Sequence, residues 1–186
     1  MSDDSVIKAT QTWLTSFVMK YDICPFAARE YHRGSIRYQV CQARALEPAL
    51  ASLIDECVYL DAHPDVETTL LIYSQGFVHF DDYLDLVAIG EQLLADQGYD
   101  SIYQLASFHP DYLFASEQGE NLDDDPANYT NRSPYPMLHI IREASLERAL
   151  AAYPDPENIP GRNIERTRTL GLQTLQTLLA ASKTQV

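Results

Sequence analysis

Apolar residues follow two different spacings along this chain. One recurs every third or fourth residue, as in amphipathic helices, and the other alternates or runs continuously, as in strands. The strand-like spacing predicts four strands, at residues 36–43, 67–73, 102–108 and 137–141. The helical spacing predicts helices at residues 4–20, 48–60, 81–97, 144–152 and 161–181, with a short helical turn at 26–33. Because strands and helices alternate, we predict an α/β fold: a four-stranded mixed sheet packed by helices, in a single globular domain, 1–186.

Local signals predict how some of these elements begin and end. Asp3, Asp4 or Ser5 can cap the first helix, and Asp81 can cap the helix at 81–97, which Gly98 would then terminate. The strand at 67–73 contains the run TTLLIY, which is typical of a buried central strand. The strand at 36–43 alternates apolar and polar residues, which predicts one face exposed to water.

The longest predicted connection lies within residues 107–143, between the last two strands, and reads SFHPDYLFASEQGENLDDDPANYTNRSPYPMLHIIRE. Structureless connections longer than about 12–15 residues are uncommon in compact domains, and those that occur are usually functional or disordered. This one is rich in proline and aromatic residues. We therefore predict a long ordered loop between strands three and four that carries function, with the acidic run 123–125 as a solvated turn.

The charge of the chain is −14 and is unevenly distributed. No lysine or arginine occurs between Arg44 and Arg132, an interval that holds two thirds of the acidic residues. This argues against nucleic acid and against an anionic membrane surface as partners. One interpretation is an acidic solvated face. The other is that arginines from both sides of the interval converge on one anion site, which would favour a small acidic ligand.

The sequence lacks the patterns that mark secretion, membrane insertion, disulfides, zinc sites and nucleotide sites. The N-terminus has no signal-peptide pattern and no apolar run approaches a membrane span, so we expect a cytoplasmic protein. The three cysteines have no CxxC spacing, which argues against disulfides and a structural zinc site. We therefore predict no metal, and because no glycine-rich nucleotide motif occurs, we also predict no cofactor.

Four segments carry a family resemblance: ICPFA (23–27), ASFHPDY (106–112), NYTNRSPYP (128–136) and LHIIREAS (138–145). In this order they resemble an uncharacterised bacterial family known as a domain of unknown function, over nearly the whole chain. The resemblance implies a bacterial source and a cytoplasmic location. It implies no activity, so candidate residues are argued from their chemistry.

Arg132 is the first candidate for ligand binding, because a guanidinium group reads a carboxylate or phosphate through two hydrogen bonds. Its neighbours could complete an anion site with short polar side chains: Asn128, Thr130, Asn131 and Ser133. Alternatively, Arg132 pairs with an acidic residue and pins the loop.

The candidates for catalysis are His109, Asp111 and Cys24. His109 and Asp111 follow a predicted strand, where they could form a general base with its orienting acid, two metal ligands, or a simple turn. Cys24 could be a nucleophile if a cationic neighbour such as Arg29 lowered its pKa, or it could be a small buried side chain. His139, inside a strand, is interpreted as a core histidine.

Two functional hypotheses follow. In the first, the protein is an enzyme or binding protein for a small anionic ligand, with a polar pocket formed by the 107–143 loop and the CPFA turn. Arg132 would then lie near His109. In the second, the protein is a non-catalytic interaction module, whose loop tyrosines (Tyr112, Tyr129 and Tyr135) lie at a protein interface.

Overall fold

The computed structural model describes residues 2–115 and 123–184. The strands are β1 (Ile36–Cys41), β2 (Thr68–Tyr73), β3 (Tyr103–Phe108) and β4 (Met137–Arg142). The α-helices are α1 (Asp3–Trp13), α2 (Ala27–Arg33), α3 (Leu46–Ala62), α4 (Phe80–Asp96), α5 (Glu143–Ala151), α6 (Ile159–Leu170) and α7 (Leu172–Thr184). A π-helical segment, Leu14–Met19, continues α1, and short 3₁₀ segments occur at Pro126–Thr130 and Pro156–Asn158.

The four strands form one mixed sheet in the order β1-β2-β4-β3. β1 and β2 are parallel and are joined by α3, whereas β4 is antiparallel to both β2 and β3. The predicted α/β class and the four-stranded mixed sheet are therefore confirmed. The long loop returns the chain so that β4 lies between β2 and β3, with Phe108 opposite Met137.

Helices cover both faces of the sheet. On one face, α3 and α4 pack on the odd-numbered residues of β2, such as Leu71 and Tyr73. On the other, α1, the π-helical segment and α7 pack on the even-numbered residues, such as Leu70 and Ile72. Because side chains alternate along a strand, β2 is buried along its whole length, as its apolar sequence predicts.

The expectation that β1 has a water-exposed face was wrong. Helix α3 covers that face, where Cys41 is buried and Arg37 forms an ion pair with Glu56, Nε to Oε2 at 2.7 Å. Glu56 is only 5% exposed, so a polar residue on the strand reflects a buried partner rather than solvent. Apolar and polar residues can therefore alternate along a strand even when helices pack on both of its faces.

Some helices begin or end at residues other than those predicted. Ser2, rather than an acidic residue, caps α1, its hydroxyl accepting a hydrogen bond from the Ser5 N–H. Helix α4 begins one residue after His79, which leaves Asp81 in the first turn. The predicted helix 161–181 is interrupted at Gly171, where φ is 79° and ψ is 151°. Gly98 follows the end of α4 with φ 79°, as predicted.

The described parts of the long loop are residues 109–115 and 123–136, and its 3₁₀ segment packs against α6 and α7; 116–122 of this predicted loop lie outside the described residues. Ala127, Asn128 and Tyr129 are buried. Asp125 is not the solvated residue that we expected, because it caps the 3₁₀ segment and pairs with Arg168 at 2.7 Å. No helix among residues 2–115 and 123–184 is long and apolar enough to cross a membrane.

Candidate functional site

A cavity of about 730 Å³ lies against the sheet face that α1 and the π-helical segment cover. Such a volume is within the range of about 300–1,000 Å³ that is usual for small-molecule sites. Its walls come from the CPFA turn, α2, α5, the starts of β1 and β2, and the sheet face that carries Leu70. The residues 107–143 contribute through strand positions, namely Phe108, His139 and Ile141.

Most of the cavity wall is apolar. Trp13, Leu14 and Val18 line it from the first helical segment, and all three are buried. The Trp13 ring packs edge-on against Phe108, with 5.4 Å between centroids, and its Nε1 donates a hydrogen bond to the Arg132 carbonyl at 3.1 Å. This wall is suited to an apolar ligand body and is fixed to the described part of the loop through Trp13.

His139 provides a polar group on the sheet side of the cavity. Its Nε2 lies 2.7 Å from the hydroxyl of Thr68, and that hydroxyl is 2.5 Å from the carbonyl of Ile140. Because a hydroxyl has one proton, which Thr68 donates to the carbonyl, Nε2 must donate to Thr68. Nδ1 is then a hydrogen-bond acceptor. Burial lowers the pKa of His139 to about 4, so the imidazole is neutral at neutral pH.

Arginines surround the solvent side of the cavity. Arg29 and Arg33 extend from α2, and Arg148 extends from α5. The side chains of Arg29 and Arg33 are 73% and 52% exposed, and both contact the carboxylate of Glu30, at 3.5 and 3.3 Å. Arg148 donates a hydrogen bond to the Ser145 hydroxyl at 2.8 Å. Arginines that precede and follow the acid-rich interval thus meet at one cavity.

Glu67 also lines the cavity, directly before β2. Its Oε1 is buried and has no hydrogen-bond partner among the described residues. A buried polar atom without a partner costs about 1–3 kcal/mol relative to one that is satisfied. Such an atom is expected where a bound molecule completes the site.

Cys24 lines the cavity as well, from the turn between the π-helical segment and α2. Burial raises the pKa of its thiol, which outweighs the opposing hydrogen bonds from the backbone of Phe26 and Ala27. A nucleophilic cysteine needs a lowered pKa. Cys24 thus lines the cavity with a raised thiol pKa, and its catalytic role stays a prediction.

His109 lies on the opposite side of the sheet from this cavity. It is fully buried beside α4, with ring centroids 5.2 Å from Phe80 and 5.0 Å from Tyr83. Its Nε2 donates to the Phe77 carbonyl at 2.9 Å, and its Nδ1 accepts from the backbone N–H of Asp111 at 3.0 Å. Both ring nitrogens are thus engaged with backbone, and burial lowers the pKa of the imidazole.

Arg132 also holds the loop through backbone atoms. Its Nε donates to the Tyr112 carbonyl and its Nη2 to the Asp123 carbonyl, each at 3.1 Å, while the guanidinium lies 4.8 Å from the Tyr129 ring centroid. The cavity beside it measures about 10 Å³, which is the space of roughly one water molecule. The backbone of His109 donates to the Asn131 carbonyl at 3.1 Å, but the side chains of His109 and Arg132 take separate partners.

The other predicted binding residues form local hydrogen bonds. Asn128 Oδ1 accepts from the Phe114 N–H, and Thr130 donates to the Ala127 carbonyl. Asn131 donates to the Ser107 carbonyl, and the Ser133 hydroxyl donates to the Tyr135 carbonyl. These bonds satisfy backbone groups of a packed loop. Anion binding by this segment stays a prediction.

Sequence reasoning named the CPFA turn, which includes Cys24, as a wall of the pocket, but it did not assign the charged residues of the large cavity to a site. Arg29 was noted only as a possible neighbour of Cys24, and His139 was interpreted as a core residue. Glu67 and Arg148 were not singled out. One feature of the sequence did point to this cavity. No lysine or arginine occurs between Arg44 and Arg132, and the cavity arginines come from both sides of that interval.

Within the described residues, no three side chains of His, Cys, Asp or Glu are grouped so that they could hold a metal ion. Among curated proteins and among solved structures, no significant match to this chain was found. One family model does match, over residues 5–177, and its description is "Protein of unknown function (DUF1415)". Because this match spans nearly the whole chain, the protein belongs to that family.

Proposed function

We propose that the large cavity binds a small organic anion with an apolar body. The observation that carries the proposal is the placement of Arg29, Arg33 and Arg148 around a largely apolar cavity, in a chain of net charge −14. Arginine is the side chain best suited to recognise a carboxylate or phosphate group. Positive charge gathered at a concave site in a negative molecule attracts small anions selectively.

The two α2 arginines already share one carboxylate, that of Glu30, so a ligand would have to compete with it. Arg148 differs, since the only side-chain hydrogen bond of its guanidinium among the described residues goes to the neutral Ser145 hydroxyl. Arg148 therefore has the most unused capacity for an anion. The apolar cavity wall, which includes Leu14 and Phe108, would contact the apolar body of the ligand.

The interaction-module hypothesis fits the structure less well. Tyr129 is buried, Tyr112 packs against Phe80, and Tyr135 packs with the core around α7. Each of these three tyrosines is buried or half-buried, whereas interface aromatics must be accessible to a partner. We therefore favour a ligand-binding protein, and we place it in the bacterial cytoplasm as the family resemblance implies.

Trp13 makes the proposal directly testable, because it is the only tryptophan of the chain and lines the cavity. Decanoate and decanol are suitable probes, since they share a chain and differ in the anionic group. Titration followed by tryptophan fluorescence should show saturable binding of decanoate, with decanol at least about tenfold weaker, as the loss of one charged hydrogen bond predicts.

The variant Arg148→Gln should reduce decanoate affinity by about tenfold or more, by the same reasoning. Arg44→Gln is the matched control, because Arg44 is exposed, does not line the cavity and changes the net charge equally. Equal affinities for decanoate and decanol, or equal effects of the two variants, would refute the proposed anion site.

A further inference from the structure

Two hydrogen-bond acceptors in the large cavity have no donor among the described residues. Glu67 Oε1 is buried without a partner. His139 Nδ1 must be an acceptor, because its Nε2–H is directed to Thr68. A ligand that carried only an anionic group would leave both acceptors unsatisfied, and its own charge would be repelled by Glu67. A ligand that satisfies the cavity therefore carries a hydrogen-bond donor as well as an anionic group.

Glu67 is linked to the arginines of α2 through a short series of hydrogen bonds. The Glu67 N–H donates to the Ser35 carbonyl at 2.9 Å, and the Ser35 hydroxyl donates to Glu30 Oε2 at 2.7 Å. Arg33 contacts that same Glu30 carboxylate. Glu67 is also adjacent to Thr68, which holds His139. The cavity thus combines acceptors and cationic groups with an apolar wall that includes Trp13 and Phe108.

Resting on the proposed function, we infer that the ligand is an α-amino acid with a long apolar side chain. Its ammonium group would bind Glu67 and His139, its carboxylate would bind the arginines, and its side chain would lie along the apolar wall. An ammonium fits better than a hydroxyl, because it offers three donors to the two acceptors and balances the Glu67 charge. The two charges of an α-amino acid are separated by one carbon, which suits an acceptor and an arginine that are linked through Ser35 and Glu30.

Three probes with nearly equal apolar bodies test this inference: α-aminodecanoate, decanoate and nonylamine. Only the first carries both charged groups. A charge-assisted hydrogen bond contributes about 1.5–3 kcal/mol, so α-aminodecanoate should bind roughly 10- to 100-fold more tightly than decanoate in the Trp13 fluorescence titration. Nonylamine, which lacks the carboxylate, should also bind more weakly than α-aminodecanoate.

The variant Glu67→Gln keeps the size of the side chain and removes its charge. In this variant the ratio of the affinities for α-aminodecanoate and decanoate should fall to near one. Glu91→Gln is the matched control, because Glu91 is exposed on α4 and does not line the cavity, and it should keep the wild-type ratio. Circular dichroism and the melting temperature check that both variants fold.

The outcomes separate this inference from the proposed function. If decanoate binds and α-aminodecanoate binds no better, the anion site stands and the amino-acid inference is overturned. The wild-type comparison alone decides this, so the inference remains falsifiable even if Glu67→Gln does not fold. If none of the three probes binds, both the inference and the proposed function fail.

Discussion

The hydroxyl of Tyr83 joins the ends of two strands, and its removal should destabilise the protein strongly. It donates to the Met137 carbonyl at 2.8 Å and accepts from the Phe108 N–H at 2.9 Å, and Tyr83 itself is fully buried. Tyr83→Phe would remove the hydroxyl with which both backbone groups form hydrogen bonds. A buried group that loses its partner costs about 1–3 kcal/mol, so for the two groups we expect a loss of about 2–6 kcal/mol in the free energy of unfolding. That is a large part of the roughly 5–15 kcal/mol that stabilises a typical protein.

Urea unfolding, followed by far-ultraviolet circular dichroism, measures this loss. With an m value of roughly 2 kcal/mol/M, the midpoint should fall by about 1–3 M without a change in slope. Tyr21→Phe is the control, because the Tyr21 hydroxyl makes no side-chain hydrogen bond among the described residues and its ring is only half-buried. A loss below about 0.5 kcal/mol in Tyr83→Phe, or an equal loss in the control, would refute the bridging role, since the cost of unsatisfied groups would then be absent.

Three further predictions concern buried charge, backbone packing and pH. Arg37→Met should destabilise by about 3–5 kcal/mol by leaving the Glu56 carboxylate buried alone, and Arg37→Met with Glu56→Leu should recover most of that in a thermal double-mutant cycle. Gly76→Ala should destabilise because its Cβ would overlap the carbonyl oxygen of the loop after β1, whereas Gly161→Ala, in open space on α6, should be neutral or gain about 0.5–1 kcal/mol in urea unfolding. Burial lowers the pKa of His139 from 6.5 to about 4. The unfolded chain therefore binds the proton first, and stability should be full above pH 6.5 and fall toward pH 4, by up to about 3 kcal/mol. His139→Gln should flatten this dependence in urea titrations at several pH values; a parallel curve would contradict it.

The secondary structure could be predicted because its signals are local. The four strands and the helices on both sides of the acid-rich interval follow from the spacing of apolar residues, and Gly98 terminates α4 as its position suggests. The break at Gly171 was missed because the leucines on both sides keep a helical spacing. One residue with φ 79° and ψ 151° redirects the chain without changing that pattern.

The strand order could not be predicted from local patterns. A long loop allows β4 to lie beside β3 in either direction, and the cost of closing a loop grows only slowly with its length. Chain entropy therefore does not decide between the arrangements. The choice depends on which faces are buried, and β1 shows why that is hard to see, since its Arg37 is polar and yet packs against α3.

The search for dense polar motifs led to residues 128–133, whose side chains bind the loop's own backbone, and the reason is physical. A loop that packs on a sheet must satisfy its own buried backbone groups. Asn128, Asn131 and Ser133 do so with their side chains, and Arg132 does so with its guanidinium. A dense run of short polar residues in a long loop therefore indicates a buried loop at least as well as it indicates a ligand site.

The polar residues of the large cavity, by contrast, form no motif in the sequence. Its polar groups come one or two at a time from separate segments: Arg29 from α2, Glu67 from the start of β2, His139 from β4 and Arg148 from α5. Side-chain alternation decides that His139 faces this cavity while Leu138 faces the other core. A shift of one residue in the β2–β4 register would exchange them, moving the imidazole away from Thr68. The site therefore depends on the register of two strands 65 or more residues apart in the chain, which no local pattern encodes.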